Sequence, residues 1–187
     1  MTNTSTNVRM IAELGVALAL ALILNMFKLF QMPYGGSVSL EMLPIVIMAF
    51  RWGIKSGILA GAGYGLLRLA TGATAIHWVQ YLLDYPVAFA SLGLAGIFAS
   101  WVNKSDNKVP PIVYGILVGT LARFVAHFTS GLVFFGEYAP EGQSEFMYSL
   151  IYNTTFLAPE GLITMIAVSL LALNKSSSEF FTTSTYS

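Results

Sequence analysis

Residues His77 to Trp101, HWVQYLLDYPVAFASLGLAGIFASW, form an apolar run long enough to cross a bilayer, with one carboxylate, Asp84, wedged between Leu83 and Tyr85. An ionised group there must face protein, water or solute, because exposing it to hydrocarbon costs on the order of several kcal/mol. The other apolar segments must therefore pack around it. On helical spacing His77, Gln80 and Asp84 stand at i, i+3 and i+7, so the polar groups share a face while Val79, Leu82, Leu83 and Val87 cover the remainder.

A span needs roughly 20 mostly apolar residues. By that measure the chain holds six, at about 10–30, 39–52, 55–71, 77–101, 111–135 and 146–173, of which the second and third are short enough to be tilted or re-entrant. Hydrophobic residues make up 56% of the chain and charged residues only 10%, and mean hydropathy is +0.70. Soluble domains carry about a quarter charged residues, so the balance points to lipid. The prediction is an all-α integral membrane protein with six transmembrane helices, a single domain over 1–175 and a polar, disordered tail over 176–187. With both termini in the cytoplasm, the inner side receives Arg9, Arg51, Lys55, Lys104, Lys108 and Lys175 and the outer side only Lys28, as the positive-inside rule requires. Arg68 and Arg123 fall within spans.

Several classes are excluded. There is no cysteine, so no disulfide framework or thiolate metal site can form, and no metal or cofactor is expected. A formal charge of zero, with no basic run, argues against nucleic acid. No glycine-rich phosphate loop occurs, so any uphill transport must draw on an ion gradient or on a partner. The start, MTNTSTNVRMIAELG, lacks the features of a cleaved secretory signal, and the first apolar segment is expected to be retained.

Local patterns assign roles to particular residues. Gly15, Ala19 and Ile23 lie on one line of the first helix, a small-residue surface suited either to packing within the chain or to docking onto another subunit. Tyr34, Gly35 and Gly36 mark an outer turn that is either a lid or a tight connection into the second helix, where Glu41 stands at the helix start. Gly53, Gly57, Gly61 and Gly65 form a ridge for close helix packing. Arg68 either pairs with Glu41 or snorkels outwards, with snorkelling favoured. Thr120, Arg123, His127 and Ser130 share a stripe of the fifth helix. Ser149, Asn153, Phe156 and Glu160 share a side of the sixth, flanked by Tyr148 and Tyr152, with Pro159 placed to kink it.

In the predicted orientation these stripes fall at similar depth, in the outer halves of the last three helices. Tyr81, Tyr85, Phe135 and Tyr148 surround them, partly as an interfacial aromatic belt. One acid, an imidazole, an amide and aromatic faces suit a small, planar, cationic heteroaromatic solute. A rival reading, an intramembrane hydrolase using Ser130 and His127, lacks a convincing activating third group.

The segments YGGSVSLEMLPI, HWVQYLLDYPVAFASLGLAG, RFVAHFTSGLVFFGEYA and YSLIYN, together with the six-run hydropathy, are where the chain resembles a known family. It is similar to the thiamine-specific substrate-binding (S) component of bacterial energy-coupling factor (ECF) vitamin transporters. The resemblance implies capture of thiamine at the outer face of the plasma membrane and delivery through a transmembrane coupling subunit and two ATP-hydrolysing subunits. It implies that Asp84 and Tyr85 serve the cationic or amino groups of the ligand and that His127, Tyr148 and Asn153 contact it. Phe135, Tyr81 and His77 complete the candidate set. Gly15 and Ala19 match the surface that meets the coupling subunit. Some family members carry glutamate where Asp84 stands and tryptophan where Phe135 stands. The alternative within the same fold is another small heteroaromatic vitamin or a thiamine precursor.

Overall fold

Small residues set how the first helix joins the rest. In the computed structural model, which describes residues 4–73 and 75–182, helix α1 (Thr4–Met26) buries Ala17, Ala21 and Asn25 at i, i+4 and i+8. Its other faces expose Val8, Ile11, Val16, Leu20 and Ile23, an apolar coat of the kind lipid accepts. Gly15 and Ala19 lie on the exposed side, and a side chain at Gly15 would meet nothing.

The first connection is not simply a turn. Two short strands, β1 (Phe30–Gln31) and β2 (Ser37–Val38), pair antiparallel with Phe30 opposite Val38 and Gln31 opposite Ser37. A 3-10 turn over Pro33–Gly35 closes them, and Gly35 takes φ +110°, a conformation that glycine alone adopts without strain. The all-helical expectation missed this hairpin because its signal is only two residues per strand.

Helix α2 (Met42–Trp52) is apolar up to Arg51 in its last turn and largely buried, with Met42, Ile45, Val46, Ala49 and Phe50 all in the core. Gly53, at φ +84°, turns the chain into α3 (Ile54–Ala70). A long rod follows, α4 (Trp78–Lys104), and then α5 (Val109–Phe134) and α6 (Glu145–Leu173). Pro159 lies within α6 without ending it. Among the described residues four helices are long and apolar enough to cross a membrane, with 21 residues in α1 (from Thr6), 27 in α4, 26 in α5 and 29 in α6. The shorter α2 and α3 pack among them.

The glycine ridge of α3 seats against α4. A Cβ at Gly61 would stand 2.0 Å from the carbonyl oxygen of Phe89, and one at Gly65 would run into the backbone of Tyr85 and Pro86. The two backbones are therefore in contact, and this contact fixes the depth and rotation of the segment that carries Asp84.

The C-terminal segment departs from expectation. Residues 176–182, predicted as part of a disordered tail, continue as α7 (Lys175–Ser178) and a 3-10 turn over Glu179–Phe181, with Phe181 wholly buried. Arg51 explains the order: its guanidinium donates to the carbonyls of Glu179 (3.0 Å), Phe180 (3.0 Å) and Thr182 (2.7 Å) while pairing with Glu13 at 2.6 Å. Residues 183–187 of the predicted tail lie outside the described residues.

Candidate solute-binding site

Pro86 shapes the segment around Asp84. Proline has no N–H to donate and crowds the preceding turn, so a regular α-helix cannot pass through it unchanged. The chain widens here into a π-helical turn over Leu83–Val87, and the Ala88 N–H reaches back five residues to the Leu83 carbonyl. The wider turn presents Asp84 and Tyr85 together to the interior. Further on, the rod tightens to a 3-10 stretch over Leu92–Phe98 before ending as α-helix.

Asp84, Tyr85, Phe135, His127, Tyr148 and Asn153 line one cavity, beneath Gly35 and Gly36 of the hairpin turn. Its volume is about 90 Å³, where a single water occupies roughly 10–15 Å³ of such space. Gln80 Nε2 donates to one oxygen of Asp84 at 3.2 Å, and His127 Nδ1 lies 3.1 Å from the other. An ionised carboxylate only accepts, so His127 carries its proton on Nδ1. In the neutral imidazole its Nε2 is then a bare acceptor, buried and without a hydrogen-bond partner among the described residues. Asn153 spends its NH2 on Ser149 (2.9 Å to the carbonyl, 3.2 Å to Oγ), which leaves its carboxamide oxygen as a second acceptor.

The turn over the cavity is latched to α6. The Tyr152 hydroxyl accepts the Gly36 N–H at 3.0 Å and donates to the Pro33 carbonyl. Gly36 is required here, since a Cβ would stand 2.8 Å from the Phe156 ring.

A buried ionic network forms the floor, and much of it escaped the reading of the sequence. Arg123 bonds Glu160 at 2.9 Å and Glu41 at 3.4 Å, with all three side chains 5% exposed or less. Its guanidinium also covers the Phe89 ring, 4.3 Å from the centroid. Glu41 stands at the start of α2 as expected, but its side chain makes no cap bond there and turns inward to accept from Tyr64 and Asn25. Arg68 does not snorkel: it lines the cavity and donates to Asn25 at 2.7 Å. Glu41, Arg68 and Arg123 were visible as intramembrane charges, but Asn25, in an otherwise apolar helix, was the neglected signal.

Two candidates stand apart. His77 is exposed at the start of α4, where its Nδ1 accepts the Val79 N–H at 3.1 Å and its ring stacks on Phe134 at 5.3 Å. It caps a helix end and does not line the cavity. Tyr81 lies behind the lining, stacked on Tyr85 at 5.2 Å with its hydroxyl donating to the Gly65 carbonyl at 2.9 Å. His77 is held off the helical face by its extended backbone at the N-cap, and Tyr81, one residue past the lining Gln80, is turned about 100° away from it. Of the turn residues, Gly35 and Gly36 face the cavity, while the side chain of Tyr34 lies outside the described residues. The Ser130 hydroxyl is buried without a hydrogen-bond partner among the described residues, and His127 is held by Asp84 instead.

A polar cavity under a latched turn, lodged among apolar helices of bilayer length, defines a helical membrane protein built to hold a small solute. Residues 11–180 match the family described as thiamine transporter protein (Thia_YuaJ). The chain is 41% identical over 178 residues to the thiamine transporter ThiT of Bacillus subtilis, covering 90% of this chain and 93% of that protein. It is 35% identical over 140 residues to ThiT of Lacticaseibacillus paracasei, covering 70% of each. The solved structure of ThiT from Listeria monocytogenes superposes with a TM-score of 0.87 at 25% identity, over 95% of this chain and all of that one. The chain belongs to the thiamine transporter protein family, a family of transporters and not of enzymes.

Proposed function

We propose that this protein captures thiamine at the outer face of a bacterial plasma membrane and acts as the S component of an ECF-type, ATP-driven uptake system. In this reading six helices cross the bilayer, both termini are cytoplasmic, and the exposed Gly15–Ala19 surface of α1 meets a transmembrane coupling subunit served by two ATPase subunits.

The observation that carries the reading is Asp84, a carboxylate facing the cavity with no cationic partner among the described residues other than His127, which is charged only when protonated. Thiamine brings a permanent positive charge to such a group. Its aminopyrimidine brings N–H donors, which the bare His127 Nε2 and the Asn153 oxygen are placed to accept. Tyr85, Phe135 and Tyr148 offer aromatic faces to its rings.

Thiamine titrated into the detergent-purified protein is expected to change tyrosine and tryptophan fluorescence saturably, at one equivalent per chain. A flat titration, or tighter binding of another vitamin, would reject the assignment. The lid makes a separate expectation. Tyr152→Phe removes both bonds to the turn, and the dissociation rate of thiamine, followed by stopped-flow fluorescence, should rise about tenfold. An unchanged rate would mean that the turn does not gate the site.

A further inference from the structure

We propose that Asn25 is a specificity-determining tether, whose carboxamide holds the Arg68 guanidinium to the cavity wall and keeps Asp84 available to a cation. The inference rests on the cationic-solute reading above.

Arg68 and Asp84 line the same cavity and carry opposite charges, yet they do not pair. Among the described residues Arg68 makes no ion pair at all, and Asp84 meets only Gln80 and His127. A guanidinium on a flexible stem is the natural counter-ion of a carboxylate that, like Asp84, has no permanently charged partner among the described residues. If the two closed on each other, the cavity would hold no site for a cation. The structure shows what holds them apart. Arg68 Nη1 donates to Asn25 Oδ1 at 2.7 Å, and the guanidinium lies 6.0 Å from the centre of the Tyr85 ring, on the residue next to Asp84.

The amide cannot turn round. Its NH2 donates to Glu41, which as a carboxylate offers only acceptors, so its oxygen must face Arg68. Glu41 is fixed in turn by Tyr64 on α3 and Arg123 on α5, which ties the tether to two further helices. Asn25 is 6% exposed and is the one buried polar side chain of α1 among the described residues. A dipole with one end on a carboxylate and the other on a guanidinium compensates both, so neither has to seek Asp84 or the solute. Specificity here comes from restraining an internal competitor as much as from contacts with the ligand.

The test compares thiamine with a neutral analogue in which carbon replaces the charged ring nitrogen, by fluorescence titration of the purified full chain. Wild type should prefer thiamine. Asn25→Leu should weaken thiamine about tenfold or more while the analogue changes less than about threefold, because only the cation competes with the released arginine. Adding Arg68→Gln to Asn25→Leu should restore thiamine binding. If Asn25→Leu does not elute as a monodisperse species, Asn25→Ser, too short to reach both partners, should show the same split. Equal losses for both ligands, or no recovery in the double variant, overturn the tether while leaving the thiamine site intact. A wild-type chain that binds neither ligand overturns the site and the tether together.

Discussion

Arg123→Met is expected to destabilise the protein by about 3–5 kcal/mol, the usual penalty for removing one partner of a buried ion pair. Arg123 is 3% exposed and is the direct cationic partner of both Glu41 and Glu160, so its loss strands two carboxylates in the interior. They draw together segments 41, 123 and 160, far apart in the chain, and among the described residues Arg123 is the one cation paired with Glu160. The thermal unfolding midpoint in detergent should fall sharply. Combining Arg123→Met with Glu41→Gln and Glu160→Gln should recover much of the loss, because neither position 41 nor position 160 then carries a stranded charge. A single variant as stable as wild type would show that the network contributes nothing to folding.

Asp84→Asn should weaken thiamine binding by about 1–3 kcal/mol, roughly five- to 150-fold, as a charge-assisted contact becomes a neutral one. The substitution keeps the size of the side chain and lets Gln80 and His127 rearrange around an amide. Unlike Arg123→Met, it should leave the unfolding midpoint of the empty protein near that of wild type, so the two variants separate recognition from folding. Wild-type affinity in Asp84→Asn would remove Asp84 from the site.

The stripes on the last two helices were legible because helical periodicity places His127 four residues from Arg123 and Asn153 four from Ser149, whatever the surroundings. The same rule misplaced His77 and Tyr81. It assumes a helix already running at His77, whereas His77 is the extended N-cap that precedes the first turn, and Tyr81 stands one residue past the lining Gln80, about 100° round the helix. Arg68 failed for a different reason. From its place near a helix end, snorkelling and inward pairing look alike, and only the position of Asn25 on another helix decides between them. The tail followed the same logic, because its order depends on Arg51, more than 100 residues earlier.

Read alone, the sequence already specified a membrane protein of long apolar helices, a glycine ridge against a neighbour and a carboxylate that had to be sheltered. Each of these depends on local composition and periodicity, and on the high free energy of placing polar groups in lipid. Which charges meet, which face the solute and which end of an amide points where were decided by tertiary structure. Those choices belong to contacts between residues such as Asn25, Glu41, Arg68, Arg123 and Glu160, on five separate segments whose relative rotation only the packed structure determines.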